Sequence, residues 1–166
     1  MLYISIGANL PFNTRSPREN VELAIKTLDR LFTVERRSPL YQTPAWPDPN
    51  DPPFINAVVS CAATAHPLTI LKALHATEAA FGRSRGAKNA PRTLDLDLLA
   101  VDDVVMKAED NDAGLCLPHK SMHERDFVLV PFADIAPDWV HPIYHQRADK
   151  MRDSLASVNV EMLATS

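Results

Sequence analysis

An α+β fold is predicted, a mainly antiparallel sheet with helices packed on it, and three observations predict it. Two proline-marked helical segments are each flanked by β-prone runs, and "RTLDLDLLA" at residues 92–100 alternates apolar and acidic residues with the period of a half-buried strand. The length, 166 residues, suits one domain with a real core. A single domain over residues 1–166 is expected, with the tail after about 145 unassigned.

Residues 2–6 read as a strand ending at Gly7, followed by the turn-rich "GANLPFNTR". Ser16 as N-cap, Pro17 at the first helical position and Glu19 three residues after the cap make a capping box. The helix it opens carries Val21, Ala24, Ile25, Leu28 and Leu31 on one stripe, and a strand is expected over 34–43. "TPAWPDPNDPP" holds five prolines, which bar helix and central strand alike; so long a loop in a small domain is usually functional. Residues 54–65 are apolar and β-prone, and His66-Pro67 opens a second helix that runs to Phe81 and stops at Gly82. A flexible basic loop, "GRSRGAKNAPR", leads into the alternating strand, with 104–106 as its hairpin partner beyond the Asp102-Asp103 turn. Short helical pieces are expected within 121–134. The order β-α-β-β-α-β is that of a ferredoxin-like sandwich, with helices on one face and the other face free for a ligand.

Composition narrows the function. With 46% hydrophobic and 23% charged residues, a net charge of -4 and a pI near 5.8, no global positive field recruits nucleic acid or an anionic membrane. No signal-peptide pattern and no 18-residue apolar stretch appears, so a cytoplasmic protein without a membrane span is expected. Cys61 and Cys116 make neither a disulfide framework nor a metal spacing; both are expected reduced, with Cys61 in the core. The four glycines, Gly7, Gly82, Gly86 and Gly114, give neither G-x-G-x-x-G nor a P-loop, so any phosphates must be held by side chains.

The alternation at 94–98 puts Asp95 and Asp97 together on the face opposite Leu94, Leu96 and Leu98. Two carboxylates about 7 Å apart repel by about 2 kcal/mol at an effective dielectric near 20, so that face is either open to water or met by something positive. Arg83, Arg85, Lys88 and Arg92 stand just before it with no acidic residue among them. Magnesium favours one or two carboxylates plus phosphate oxygens, and arginine grips phosphate in a fork, so the pair describes a Mg-polyphosphate site built without a glycine loop. The plainer alternative is a solvated basic loop before an edge strand.

On the second helix Leu71, Leu74, His75, Glu78 and Phe81 share a face; Glu78 there needs a partner such as Arg83 or Arg85, unless it snorkels at the margin. Phe54 and Asn56 share a strand face after the proline loop, and Phe127 lies in "HERDFVLVP". A planar heterocycle with an amide-like edge, stacked on the rings and read by the Asn, would satisfy all three; ordinary core packing of the aromatics is the alternative. His119 and His123 lack the Glu or Cys partners of a zinc site, so His119 and Arg125 read instead as part of a cationic rim.

"GANL", "TPAWPDPNDPPFINAVV", "FGRSRGAKNAPRTLDLDLL" and "LPHKSMHERDFVLVPFADIAP", in order over roughly residues 2–140, resemble the 6-hydroxymethyl-7,8-dihydropterin pyrophosphokinases of folate biosynthesis. The resemblance implies a monomeric, ferredoxin-like, Mg-dependent enzyme that transfers pyrophosphate from ATP to the pterin's hydroxymethyl oxygen and releases AMP. It implies that Asp95 and Asp97 bind two Mg ions with ATP, that Arg83, Arg92, His119 and Arg125 hold phosphate oxygens, and that Arg85 lies in a loop closing over ATP. Glu78 would belong to the ATP pocket, Phe54 and Phe127 would sandwich the pterin, Asn56 would hydrogen-bond it, and Thr43 with Pro44 would line its edge. This chain departs from common members at His75, Asn89, Gly114, Cys116 and Lys120, and Lys120 is expected to replace a cation missing at Gly114.

From the residues alone, two other readings stay open: another Mg-dependent phosphotransferase or nucleotide hydrolase, and a non-catalytic sheet that binds RNA. The acidic net charge and the absence of an aromatic RNA-binding strand motif weigh against the second.

Overall fold

The computed structural model describes residues 1–46, 48–62, 64–83 and 90–164. In chain order the elements are β1 (Leu2–Ala8), α1 (Pro17–Phe32), β2 (Val34–Arg37), β3 (Tyr41–Thr43), β4 (Phe54–Cys61), α2 (Pro67–Ala80), β5 (Asp95–Val101), α3 (Asp126–Ile135), α4 (Ala148–Asp153) and β6 (Glu161–Met162). The sheet runs β5-β1-β4-β3-β6 with every pairing antiparallel, and β2 pairs with the far half of β4. The order is the one expected of a ferredoxin-like sandwich, with the second strand broken into β2 and β3. The break follows from Ser38 and Pro39: proline has no N–H for the ladder, and Ser38 takes over by exchanging hydrogen bonds with Val58 through its backbone and its hydroxyl.

The capping box forms as read: Ser16 Oγ accepts from the Glu19 N–H while the Glu19 carboxylate accepts from the Ser16 N–H. The buried stripe of α1 is Val21, Ala24, Ile25, Leu28 and Phe32; Leu31, expected on it, is 51% exposed. On α2 the buried residues are Pro67, Ile70, Leu74, Thr77 and Glu78, one position round from the expected stripe, and His75 is exposed. Gly82 ends that segment at φ +71°, where a Cβ would fall 2.2 Å from the Phe12 ring. Only glycine fits there.

Leu2, Ile4 and Ile6 of β1, Ala57, Val59 and Cys61 of β4, and Leu96 and Leu98 of β5 point into the core shared with α1 and α2. The opposite face is not wholly free, as the sequence reading had it. α3 and α4 cover one end of it, packing Val128, Phe132 and Ala148 against Tyr3, Val58 and Leu99. "FVLVPF" is apolar without a clear period, which left this second layer unread. Leu99 reaches that face by the same alternation that places Asp95 and Asp97 there, and a register shift in the β1–β5 ladder beyond Leu98 returns Val101 to the first core. Residues 104–106 do not pair with β5; Met106 bridges to Leu117 instead. The tail contributes α4 and the edge strand β6, which pairs with β3. Among the described residues no helix is long and apolar enough to cross a membrane.

Candidate functional site

The half of the second face that α3 leaves uncovered is the floor of a cleft of about 730 Å³. Its floor can be read from strand register. Gly7 of β1 lies between Asp95 of β5 and Asn56 of β4, and Ser5 lies beside Asp97. With strands about 4.8 Å apart, Asp95 and Asn56 stand about 10 Å from each other across a residue with no side chain. One end of the cleft is thus ionic and the other is amide and aromatic.

At the ionic end Asp95 is clamped by two arginines, Arg83 Nη1 at 2.7 Å from Oδ1 and Arg92 Nη1 at 2.9 Å from Oδ2. Arg125 Nη1 lies 3.9 Å from Asp97 Oδ2 and stacks over the Phe127 ring, 5.6 Å from its centroid. His119 also lines the cleft. Its Nδ1 accepts from the Ser121 N–H, so the neutral ring carries its proton on Nε2. Burial and the neighbouring Asp95 charge push the Asp97 carboxyl above its ordinary value, against the pull of His119, Arg125 and Arg83. Burial lowers His119, against the pull of Asp97.

Glu78 does not line the cleft. It is 6% exposed beneath it, pairs with Arg83 and accepts the Leu96 N–H at 2.8 Å. Burial raises its pKa to about 7, offset in part by the Leu96 N–H and Arg83. Its visible role is to hold Arg83. Arg92 is held by its backbone: its N–H donates to Asn9 Oδ1 at 2.7 Å and its carbonyl accepts from the N–H groups of Asn9 and Leu10. Asn9, 1% exposed, also donates to the Pro52 carbonyl at 3.0 Å, and Asn20 bonds the carbonyls of Leu10 and Thr93. Neither Asn was singled out in the sequence, although Asn9 stands inside the quoted "GANL".

At the other end Asn56 Nδ2 donates to Thr43 Oγ1 at 2.9 Å, which orients the carboxamide. A Cβ on Gly7 would sit 3.1 Å from Asn56 Oδ1 and 3.7 Å from Phe54, so glycine is what lets both side chains lie over the sheet. Phe54, Phe127, Thr43 and Pro44 line the same end. The structure therefore gathers Thr43, Pro44, Phe54, Asn56, Arg83, Arg92, Asp95, Asp97, His119, Arg125 and Phe127 around one cleft. Arg85 and Asn89 lie outside the described residues. Lys120 is exposed and does not line the cleft, although its charge acts on His119, which does. Ser5, Trp46, Asp126 and Asn159 line it unforeseen. Period-2 counting along β1 was the signal that would have found Ser5.

Residues 3–137 match the family model described as 7,8-dihydro-6-hydroxymethylpterin-pyrophosphokinase (HPPK). The chain belongs to this family. It is 45% identical over 126 residues to the 2-amino-4-hydroxy-6-hydroxymethyldihydropteridine pyrophosphokinase of Synechocystis sp., covering 75% of this chain and 62% of that protein. To the Pseudomonas aeruginosa protein of the same name it is 37% identical over 139 residues, covering 82% and 81%. "Folic acid synthesis protein fol1" of Schizosaccharomyces pombe is 30% identical over 165 residues, 98% of this chain but 21% of that one. The chain thus spans 21% of the length of the Schizosaccharomyces pombe protein and 62% of that of the Synechocystis one. Among solved structures, wild-type Plasmodium falciparum HPPK-DHPS superposes with a TM-score of 0.67 at 13% identity, over 92% of this chain and 44% of that one. The HPPK domain fold is shared.

Proposed function

We propose that the chain transfers the pyrophosphoryl group of ATP to the hydroxymethyl oxygen of 6-hydroxymethyl-7,8-dihydropterin, releasing AMP, as a step of folate biosynthesis. Family membership supports the activity, and one observation supports its assignment to this cleft. One row of the sheet joins Asp95, a member of the carboxylate pair ringed by cations, to Asn56, an amide beside aromatic rings, with Gly7 leaving the floor open between them. ATP phosphates suit the first end and a pterin suits the second.

In this reading the pterin hydroxyl attacks the β-phosphorus. Phosphoryl chemistry of this kind asks little covalent help of a protein and much alignment and charge neutralisation. Phe54 and Phe127 stack the ring, Asn56 reads its amide edge, and Arg83, Arg92, His119 and Arg125 hold phosphate oxygens. The donor set at Asp95 and Asp97, hard carboxylate oxygens on one strand face at a phosphate-binding end, fits Mg. Two Mg ions held by these residues with ATP would neutralise phosphate charge. Glu78 acts on the nucleotide end through Arg83. One chain forms the cleft, so a monomer suffices. Incubation with ATP, Mg and the pterin tests the proposal: AMP is expected only when the pterin is present, and ADP or no product would overturn it.

A further inference from the structure

The match to the family ends at residue 137, yet part of the cleft wall comes from beyond it. Asn159 lines the cleft, and the neighbouring recess is bounded by Val158, Asn159, Val160 and Glu161 on one side and Thr43, Pro44 and Ala45 on the other. Two anchors hold this segment. Downstream, β6 pairs with β3, the strand that carries Thr43, and the Leu163 N–H donates to the Leu40 carbonyl at 2.8 Å. Upstream, the Asn159 N–H donates to Asp126 Oδ2 at 2.7 Å, while Asp126 Oδ1 accepts the Phe127 N–H, also at 2.7 Å. One carboxylate thus ties the backbone of the ring-bearing Phe127 to the tail, at the first turn of a helix where a negative charge is favoured.

We infer that the C-terminal segment is a specificity-determining wall of the pterin end of the cleft, with Asn159 as a further contact to the heterocycle's polar edge and Asp126 as the residue that positions Phe127 against that wall. The inference rests on the pterin reading of the cleft. The two carboxylate bonds hold the backbones of Phe127 and Asn159 beside each other, which brings an aromatic ring and an amide that can both donate and accept to the same end of the cleft, as a planar bicycle with a mixed donor and acceptor edge requires. Asp126 does not touch the phosphate end except through its neighbour Arg125, so the nucleotide should not sense its loss.

Full-length Asp126→Ala, Asp126→Asn and Asn159→Ala separate the roles, with dissociation constants for the pterin and for a fluorescent ATP analogue measured in parallel. Asp126→Ala is expected to weaken pterin binding by about tenfold and raise its KM by a similar factor, with kcat and ATP-analogue affinity within about twofold. Asp126→Asn, which keeps an accepting oxygen, should recover part of the loss. Asn159→Ala keeps the backbone donor and sits on the surface, so it folds; it should weaken pterin binding by roughly 3–10-fold. Unchanged pterin affinity in Asp126→Ala or Asn159→Ala, or equal losses for both ligands, would overturn the inference while leaving the activity intact. A wild-type protein that binds no pterin would overturn both.

Discussion

Glu78 is a carboxylate placed where a carboxylate is expensive, and substituting glutamine there separates its cost from its use. The side chain is 6% exposed and its pKa is raised by burial from 4.5 to about 7. The folded state therefore holds a proton between pH 4.5 and 7 that the unfolded chain releases, and stability falls as pH rises through that window. At 1.36 kcal/mol per pH unit, the gap between 4.5 and about 7 corresponds to about 3 kcal/mol by pH 8. Glutamine still offers an oxygen to the Leu96 N–H but never ionises. Urea denaturation of the metal-free protein at pH 5, 6, 7 and 8 should show Glu78→Gln close to wild type at pH 5 and gaining on it by up to about 3 kcal/mol at pH 8. The same variant should bind ATP roughly tenfold more weakly, because Glu78, which does not line the cleft, holds Arg83 in position, whereas Asp95 competes with phosphate for it. Stability curves that stay parallel from pH 5 to 8 would refute the reasoning.

Three further outcomes follow from the site and a fourth from a buried histidine outside it. Asp97→Ala should lower turnover at least about 10²-fold, the scale of losing one preorganised electrostatic element; near-normal turnover would remove Asp97 from the metal site. Asp95→Asn should free Arg83 and Arg92 from their carboxylate, so nucleotide affinity measured without Mg should hold or rise while its enhancement by Mg disappears, as titration calorimetry would show. Gly7→Ala should leave the fold intact and weaken pterin binding by about tenfold, since the new methyl stands 3.1 Å from Asn56 Oδ1. Burial lowers His141 to about 4, so its contribution to stability is complete above pH 6.5 and is lost as pH falls toward 4. His141→Asn should flatten that acid limb in melting temperature, and an unaltered limb would contradict the burial of His141 as its cause.

Much of this was legible because local chemistry and tertiary structure agree. The capping box, the proline at the start of each helix and the alternation of Leu94, Leu96 and Leu98 with Asp95 and Asp97 each admit one local solution, and the sheet order follows from connecting them. Most of the ionic end of the cleft was legible for the same reason, since Arg83, Arg92, Asp95 and Asp97 are close in sequence. What escaped reading was non-local. Asn9 and Asn20 bond to backbone carbonyls and N–H groups 10 to 83 residues away, and nothing in their own surroundings announces it. The two-residue β6 has no periodicity to detect, and Asn159 reaches the cleft only because that strand docks on β3. Leu31 and Phe32 show the limit within an element: both are apolar and adjacent, and packing rather than composition selects the second.

The claim at the centre is that two substrates meet over Gly7 with the β-phosphorus facing the pterin hydroxyl. ATP carrying ³²P at the β position, incubated with Mg and 6-hydroxymethyl-7,8-dihydropterin, tests it most directly. The account predicts that the label leaves the nucleotide and appears on the pterin, with unlabelled AMP as co-product. Label retained in ADP would contradict it.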